Sequence, residues 1–220
     1  MTIDETLALS WSGGKDSALA LWVLEQEGRR PAALITTVTD AYDRISMHGV
    51  RRALLVRQAD ALGIELVEVR IPAGCSNELY ERSVEQAFAA GPLAGVGTVA
   101  YGDLFLEDIR RYREEHLATL GRRAVFPVWG RDTAELGREF VAGGFEATIV
   151  CVDPEKLDAS FAGRAYDDAL LADLPAGVDP CGENGEFHTF VRAGPIWKSP
   201  IACRVGETVV RDGFVFCDLR

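Results

Sequence analysis

Two hundred and twenty residues, 48% hydrophobic and 26% charged, suffice for a buried core without staples and argue against wholesale disorder. Thirty-four acids against 23 lysines and arginines leave a formal charge of −11, which argues against a general nucleic-acid coat while leaving room for a local basic pocket. Five cysteines (Cys75, Cys151, Cys181, Cys203, Cys217) contain no C-x-x-C pair, so neither a disulfide framework nor a structural zinc cluster is expected.

The longest charge-free run, from Gln86 to Gly102, is too short for a membrane span and is broken by Pro92. The first residues carry acids where a signal peptide needs bases, so a cytoplasmic protein is expected.

In chain order, short apolar runs rich in Val, Ile and Thr predict strands over 7–11, 32–39, 65–71, 98–101 and 124–129. Residues 16–28 are apolar on nearly every side and predict a buried helix. Tyr80, Val84, Ala87 and Phe88 mark one helical face, and 106–120 predicts an amphipathic helix. Strand and helix in alternation predict an α/β architecture, a parallel sheet flanked by helices, with ligands outside the carboxyl ends of the strands.

After Gly130 the rhythm changes. A helix over 132–142 and a strand over 145–152 are followed by short-helix and loop material. Strand-like runs come next at 187–191, 201–205, 208–210 and 214–217, with Asp212-Gly213 as a hairpin turn. The division expected is an N-terminal unit over 1–129 and a smaller mixed α+β unit over 130–220.

The densest local signal is Ser10-Trp11-Ser12-Gly13-Gly14-Lys15-Asp16-Ser17, between the first strand and the first helix. Two glycines let the backbone turn N–H groups toward one point; hydroxyls, a lysine and a helix N-terminus add to an anion hole sized for pyrophosphate. Asp16 is repulsive to a phosphate unless a cation intervenes, and Mg²⁺ between them resolves the conflict. Leu9 stands where a Walker A loop needs its first glycine. Gly95-Val96-Gly97 precedes a strand instead of following one and reads as loop.

Towards the other end, Glu183, Glu186 and His188 crowd with two glycines before an apolar strand. Residues 186–190, if extended, place Glu186 and His188 on one face. Ammonium or amine binding, a second metal site and a solvated polar hairpin all remain open on these residues alone. Arg110 and Glu114 have the spacing of a helix-surface ion pair, whereas Arg113 and His116 fall on the apolar face of the same helix. Cys181 has no positive neighbour in sequence to activate it.

The SGGKDS run resembles the signature of the PP-loop ATP pyrophosphatases. Within them the chain is similar to the diphthine–ammonia ligase (diphthamide synthase) family. The likeness runs through Met47-His48, Tyr101-Gly102-Asp103, Arg110 and Glu114, Pro127-Val128-Trp129, Gly144-Phe145-Glu146-Ala147, Gly163-Arg164 and Cys181-Gly182-Glu183-Asn184-Gly185-Glu186-Phe187-His188-Thr189. It implies an adenine nucleotide alpha hydrolase-like, Rossmann-like fold and an ATP-dependent ligase. An acceptor carboxylate would be adenylated with release of pyrophosphate, then amidated by ammonia.

On that resemblance ATP is held by Ser10, Ser12, Gly13, Gly14, Lys15, Asp16, Ser17, Thr37, His48 and Gly102, with Lys15 and Asp16 catalytic and Asp16 on Mg²⁺. The acceptor, such as a translation factor bearing the carboxylate, meets Asp103, Glu183, Asn184, Glu186, His188 and Thr189. Two positions depart from the family pattern: Asn184 stands for a glycine and His188 for an acid. A nucleotide sensor without turnover and a PP-loop enzyme acting on tRNA are the alternatives. The missing C-x-x-C pair and the acidic charge count against the second, and a homodimer is compatible with either.

Overall fold

The computed structural model describes residues 6–45 and 49–220. Strand β1 (Leu7–Ser10) is followed by helix α1 (Lys15–Gln26), then β2 (Ala33–Thr39), β3 (Arg44–Ile45) and α2 (Arg52–Leu62). Next come β4 (Glu65–Ile71), α3 (Asn77–Ala89), β5 (Thr98–Ala100), α4 (Glu107–Thr119) and β6 (Arg123–Val125).

Strands β4, β2, β1, β5 and β6 lie side by side and parallel, and β3 runs antiparallel along the last two residues of β2. The chain builds outward from β1 on one side and then returns to its other side through β5. The carboxyl end of β1 is therefore a topological switch point, where a crevice opens between diverging connections. Helix α1 buries Ala18, Leu19, Ala20, Leu21 and Leu24, as its continuous apolar surface predicts.

The second half adds α5 (Thr133–Ala142), β7 (Glu146–Val152), α6 (Asp168–Asp173), β8 (Phe187–Ala193), β9 (Val205–Arg211) and β10 (Phe214–Leu219). Its four strands form an antiparallel sheet in the order β8-β7-β10-β9. Asp212 and Gly213 both take positive φ (50° and 85°), which turns β9 into β10 as a two-residue hairpin. One apolar cluster draws from both halves, with Leu9, Trp11 and Leu21 beside Ile149, Phe187 and Phe190. Trp11 and Trp197 sit 6.2 Å apart, and Trp22 meets Phe145 edge-on at 5.6 Å.

Two expected strands differ. The run at 124–129 is paired only as Arg123–Val125, because Pro127 has no N–H for a ladder and Trp129 N–H turns back to the Phe126 carbonyl. The run at 201–205 joins a strand only at Val205, although Ile201 N–H bonds the Arg192 carbonyl and Arg204 exchanges backbone bonds with Arg220, and β8 extends to Ala193. Helix α2 provides the crossover between β2 and β4, burying Leu54, Leu55, Gln58, Ala59 and Leu62 along one face. No helix among the described residues is long and apolar enough to cross a membrane.

Candidate functional site

Residues 11–14 leave β1 at the switch point as a loop pinned from two directions. The Gly13 carbonyl accepts from Val191 N–H of β8 at 2.9 Å and from Gln58 Nε2 of α2 at 3.1 Å. Gln58 also donates to the Val191 carbonyl at 2.6 Å and accepts from Trp11 Nε1 at 2.9 Å, and none of its surface is exposed. Gly13 sits at φ +78°, and a Cβ there would fall 2.7 Å from Gln58 Oε1. Gln58 carries no motif, yet an amide on a face otherwise made of Leu54, Leu55, Ala59 and Leu62 is a legible anomaly.

Inside the loop, Ser12 Oγ accepts from Gly14 N–H at 3.3 Å and lies 3.3 Å from Ser17 Oγ, which donates to the Gly14 carbonyl at 2.9 Å. Lys15 opens α1, whose N-cap Gly14 offers no side chain to the helix, and its N–H donates to Thr189 Oγ1 at 3.0 Å. Lys15 Nζ, in a side chain only 2% exposed, bonds Asp16 Oδ1 at 2.6 Å and the Cys181 carbonyl, 5.7 Å from the Phe187 ring centre. Burial opposes that charge, but Asp16, with smaller help from Cys181 and Tyr166, holds the ammonium above the ordinary lysine range. Burial raises the Asp16 carboxyl in turn, against the pull of Lys15.

Gly102, at the end of β5, faces this helix start. A Cβ on it would lie 2.7 Å from the Asp16 carbonyl carbon and 2.9 Å from Ser17 N, so only glycine lets the two segments meet.

These groups line a cleft of about 240 Å³ with Ser10, Tyr101, Asp103, Arg113, Gly182, Glu183, Phe187, His188 and Thr189. A neighbouring, more apolar pocket of about 330 Å³ shares Ser10, Ser12, Tyr101 and Arg113 with the cleft. Its walls include Ile35, Thr36, Thr37, Val69 and Val99. Thr36 Oγ1 is buried in that wall without a hydrogen-bond partner. This more apolar slot is contiguous with the cleft through Ser10, Ser12, Tyr101 and Arg113.

From the other side, the segment 179–186 folds around a buried carboxylate. Glu186 Oε1 accepts from Asp179 N–H at 3.0 Å and from Asn184 Nδ2 at 3.2 Å, and the residue is only 3% exposed. Glu186 and Asn184, both expected against the acceptor, thus turn into their own loop and are absent from the cleft lining. The Glu186 side chain turns to Asp179 and Asn184, whereas His188 lines the cleft, so the two do not act on one face.

Glu183 does face the cleft. Its Oε1 accepts from Leu104 N–H at 2.7 Å and its own N–H donates to Asp179 Oδ2 at 2.8 Å. Burial, opposed by the Leu104 bond and reinforced by Asp16 and Asp103, raises its carboxyl to about 7. His188 is driven down to about 4, by burial first and by Lys15 second, so it is neutral at pH 7.

Asp103 is held by a fork-to-fork pair with Arg113, at 2.6 and 3.0 Å, and the guanidinium lies 4.3 Å from the Tyr101 ring centre. Arg113, on the apolar face of its helix and paired with Asp103, is a wall of both pockets. Arg110 pairs with Glu114 at 2.9 Å while covering Trp129 at 4.8 Å. Burial pushes the Cys181 thiol up to about 12, which leaves it un-ionised and without nucleophilic force. His48 lies outside the described residues.

Among the described residues no group of three or more His, Cys, Asp or Glu is arranged to hold a metal. Mg²⁺ asks for less, since it keeps several waters and binds through one or two carboxylates plus substrate phosphates. Asp16, with 31% of its side chain exposed at the cleft wall, fits that demand.

Residues 5–123 match the diphthamide synthase N-terminal domain and residues 132–219 the diphthamide synthase C-terminal domain. Relatives named diphthine–ammonia ligase from Homo sapiens and Rattus norvegicus are 30% and 26% identical, each alignment covering 93% of this chain and 85% of the relative. The solved structure of a predicted subunit of tRNA methyltransferase from Methanocaldococcus jannaschii aligns with 90% of this chain and 100% of its own, at TM-score 0.42 and 16% identity.

Proposed function

The chain belongs to the diphthamide synthase family and is an ATP-dependent amide-forming ligase, and from that premise we propose that it adenylates the carboxylate of diphthine and transfers the acyl group to ammonia. The observation that carries this reading is the junction of the two motifs. Lys15 donates to Thr189 through its backbone and to the Cys181 carbonyl through its ammonium, so the phosphate loop and the segment bearing Glu183 and His188 enclose one cleft.

In the proposed sequence the adenosine lies in the slot of Thr36 and Thr37, and the triphosphate follows the loop at Ser12, Gly13, Gly14 and Ser17. A carboxylate oxygen of the acceptor attacks the α-phosphorus. The bond from that phosphorus to the bridging oxygen breaks, and pyrophosphate leaves. Lys15 and the N-terminus of α1 stabilise the charge that develops there. Mg²⁺ held at Asp16 would neutralise further phosphate charge.

In the second half an ammonium ion gives its proton to Glu183, whose carboxyl is poised near neutral pH. The freed nitrogen lone pair attacks the acyl carbon, the carbon–oxygen bond to AMP breaks, and the second nitrogen proton leaves with the AMP phosphate. No protein nucleophile takes part, in keeping with an un-ionised Cys181. The division of labour we infer assigns ATP to residues 1–129 and the acceptor to 130–220, in a protein of the cytoplasm.

The deciding experiment incubates purified protein with ATP, Mg²⁺, ammonium and a protein carrying diphthine. The reading expects AMP, pyrophosphate and amide in equal amounts, with AMP formation dependent on the acceptor. ATP bound and returned intact in the presence of that acceptor would turn the assignment into a nucleotide sensor.

A further inference from the structure

Of the four residues shared by the phosphate cleft and the apolar slot, Arg113 is the cation. Among the described residues it is also the one charged side chain in the lining of the slot. Its guanidinium is fixed on two sides. Nε and Nη2 grip Asp103 at 2.6 and 3.0 Å, and the central carbon lies 4.3 Å from the middle of the Tyr101 ring. Tyr101 stacks in turn on Phe126 at 5.8 Å. Both partners come from the segment that follows β5, so the strand end sets where the guanidinium sits.

The fork to Asp103 leaves Nη1 outside it, and 26% of the Arg113 side chain is exposed. Burial opposes the charge and Asp103 more than offsets it, so the group remains a cation. The other cation of the cleft, Lys15, is bonded to Asp16 and to the Cys181 carbonyl at the start of α1. A nucleotide with its sugar in the slot and its terminal phosphates in the cleft has its α-phosphate at the wall common to both.

Resting on that placement of ATP in the ligase reading above, we propose that Arg113 contacts the α-phosphate, first in ATP and then in the acyl-adenylate, and that Asp103 is the positioning residue that aims it. An anionic carboxylate approaching an anionic phosphate needs a cation at the point of attack. Nη1 donates to a non-bridging α-oxygen while the carboxylate oxygen bonds to phosphorus. The bond to the bridging oxygen breaks, and pyrophosphate takes its electron pair. Arg113 neither gives nor takes a proton in this step. On this assignment Asp103 serves the nucleotide instead of the acceptor.

The test compares binding of AMP with binding of adenosine by calorimetry, because the two differ only in the α-phosphate. Wild type should prefer AMP by about tenfold, the size of one charge-assisted hydrogen bond. Arg113→Gln should erase that preference and leave adenosine binding in place. Asp103→Asn keeps an acceptor for the guanidinium and removes an anion from beside the phosphate, so the preference should grow. A merely structural pair would move both variants in one direction, through the slot and therefore through adenosine. The double variant Asp103→Asn/Arg113→Gln leaves no unpaired charge to unsettle the fold, and it too should bind adenosine without preferring AMP.

Wild type that binds AMP no better than adenosine, a preference that survives in both glutamine variants, or one that shrinks in Asp103→Asn overturns the assignment. None of these readouts needs an acceptor. Amide formation that fails while Arg113 carries the AMP preference ends the ligase reading and keeps the contact. Turnover with an AMP preference indifferent to Arg113 does the reverse.

Discussion

One wall of the cleft presents Ser12, Ser17, Asp16 and the buried Lys15; on the other, residues 179–189 present Glu183 and His188, whose proton affinities are shifted in opposite directions. The first wall has its geometry fixed by Gln58, Val191 and Thr189, and its lysine is held above the ordinary range. The second has a carboxyl moved toward 7 and an imidazole moved away from it. The contrast separates two tasks. On the mechanism proposed above, fixed dipoles hold a polyanion and stabilise its leaving charge, and titratable groups handle the proton that an ammonium nucleophile must lose.

Breaking the fixed wall should have the largest effect. Lys15→Ala removes the cation on it and leaves Asp16 facing the cleft without its partner at 2.6 Å. Pyrophosphate release should fall about 10²–10³-fold, the size seen when a preorganised stabilising group is lost. Isotope exchange between pyrophosphate and ATP is the direct measure. A change under threefold would remove Lys15 from the chemistry.

The opposite wall is tested by Glu183→Gln. Wild-type amide formation should rise with pH through about 7 as Glu183 ionises, because only the carboxylate can take the ammonium proton. The variant should lose about 10²-fold at pH 8 and lose that limb of its profile, while adenylation measured by pyrophosphate exchange stays within a few fold. Hydroxylamine, already neutral at pH 7, should recover most of the lost rate. Failure of hydroxylamine to do so would make Glu183 a structural anchor of Leu104 instead of a base.

Gly102→Ala and Gln58→Leu sharpen the comparison by attacking only the support of the first wall. A methyl at 102 must push β5 off the start of α1, and overpacking of this kind costs about 1–3 kcal/mol. ATP affinity should fall with the acceptor KM unchanged. Gln58→Leu leaves the Trp11 indole N–H without its acceptor and takes one donor from the Gly13 and Val191 carbonyls, a loss of about 2–3 kcal/mol in urea unfolding. Gln58→Glu keeps the acceptor for Trp11 and should still fail to hold Gly13.

These residues also mark where sequence was informative. The parallel half was readable because each strand is a short apolar run and α1 is apolar on every side, and SGGKDS announced its own chemistry. Residue types pointed to a segment from which Glu183 and His188 do line the cleft, but not Glu186, whose inward turn depends on Asp179 seven residues away. Arg113 was legible only as a charged residue on an apolar helix face, since its partners Asp103 and Tyr101 come to it through the fold.

The smallest effect belongs to His188, and it runs through stability. Its folded pKa lies near 4 against an ordinary value near 6.5, with burial the larger cause and Lys15 the lesser. Between those values the unfolded chain binds a proton that the folded one refuses. The histidine therefore contributes no penalty above pH 6.5 and weakens the fold progressively as pH falls toward 4. Asp218 also loses its contribution in acid, but its folded pKa is depressed, first by its hydrogen bonds from Arg51, so that loss begins only as pH falls through the ordinary carboxylate range near 4 and continues below it. The two windows thus meet near pH 4 and overlap little above pH 5. Glu183, with its carboxyl raised to about 7, gains stability over the same window, so the readout is the difference between the two proteins: the urea midpoint of wild type should fall relative to that of His188→Gln from pH 7.5 to 6 to 5. A difference that stays constant with pH would mean that His188 is more accessible to water than its place in the cleft lining implies.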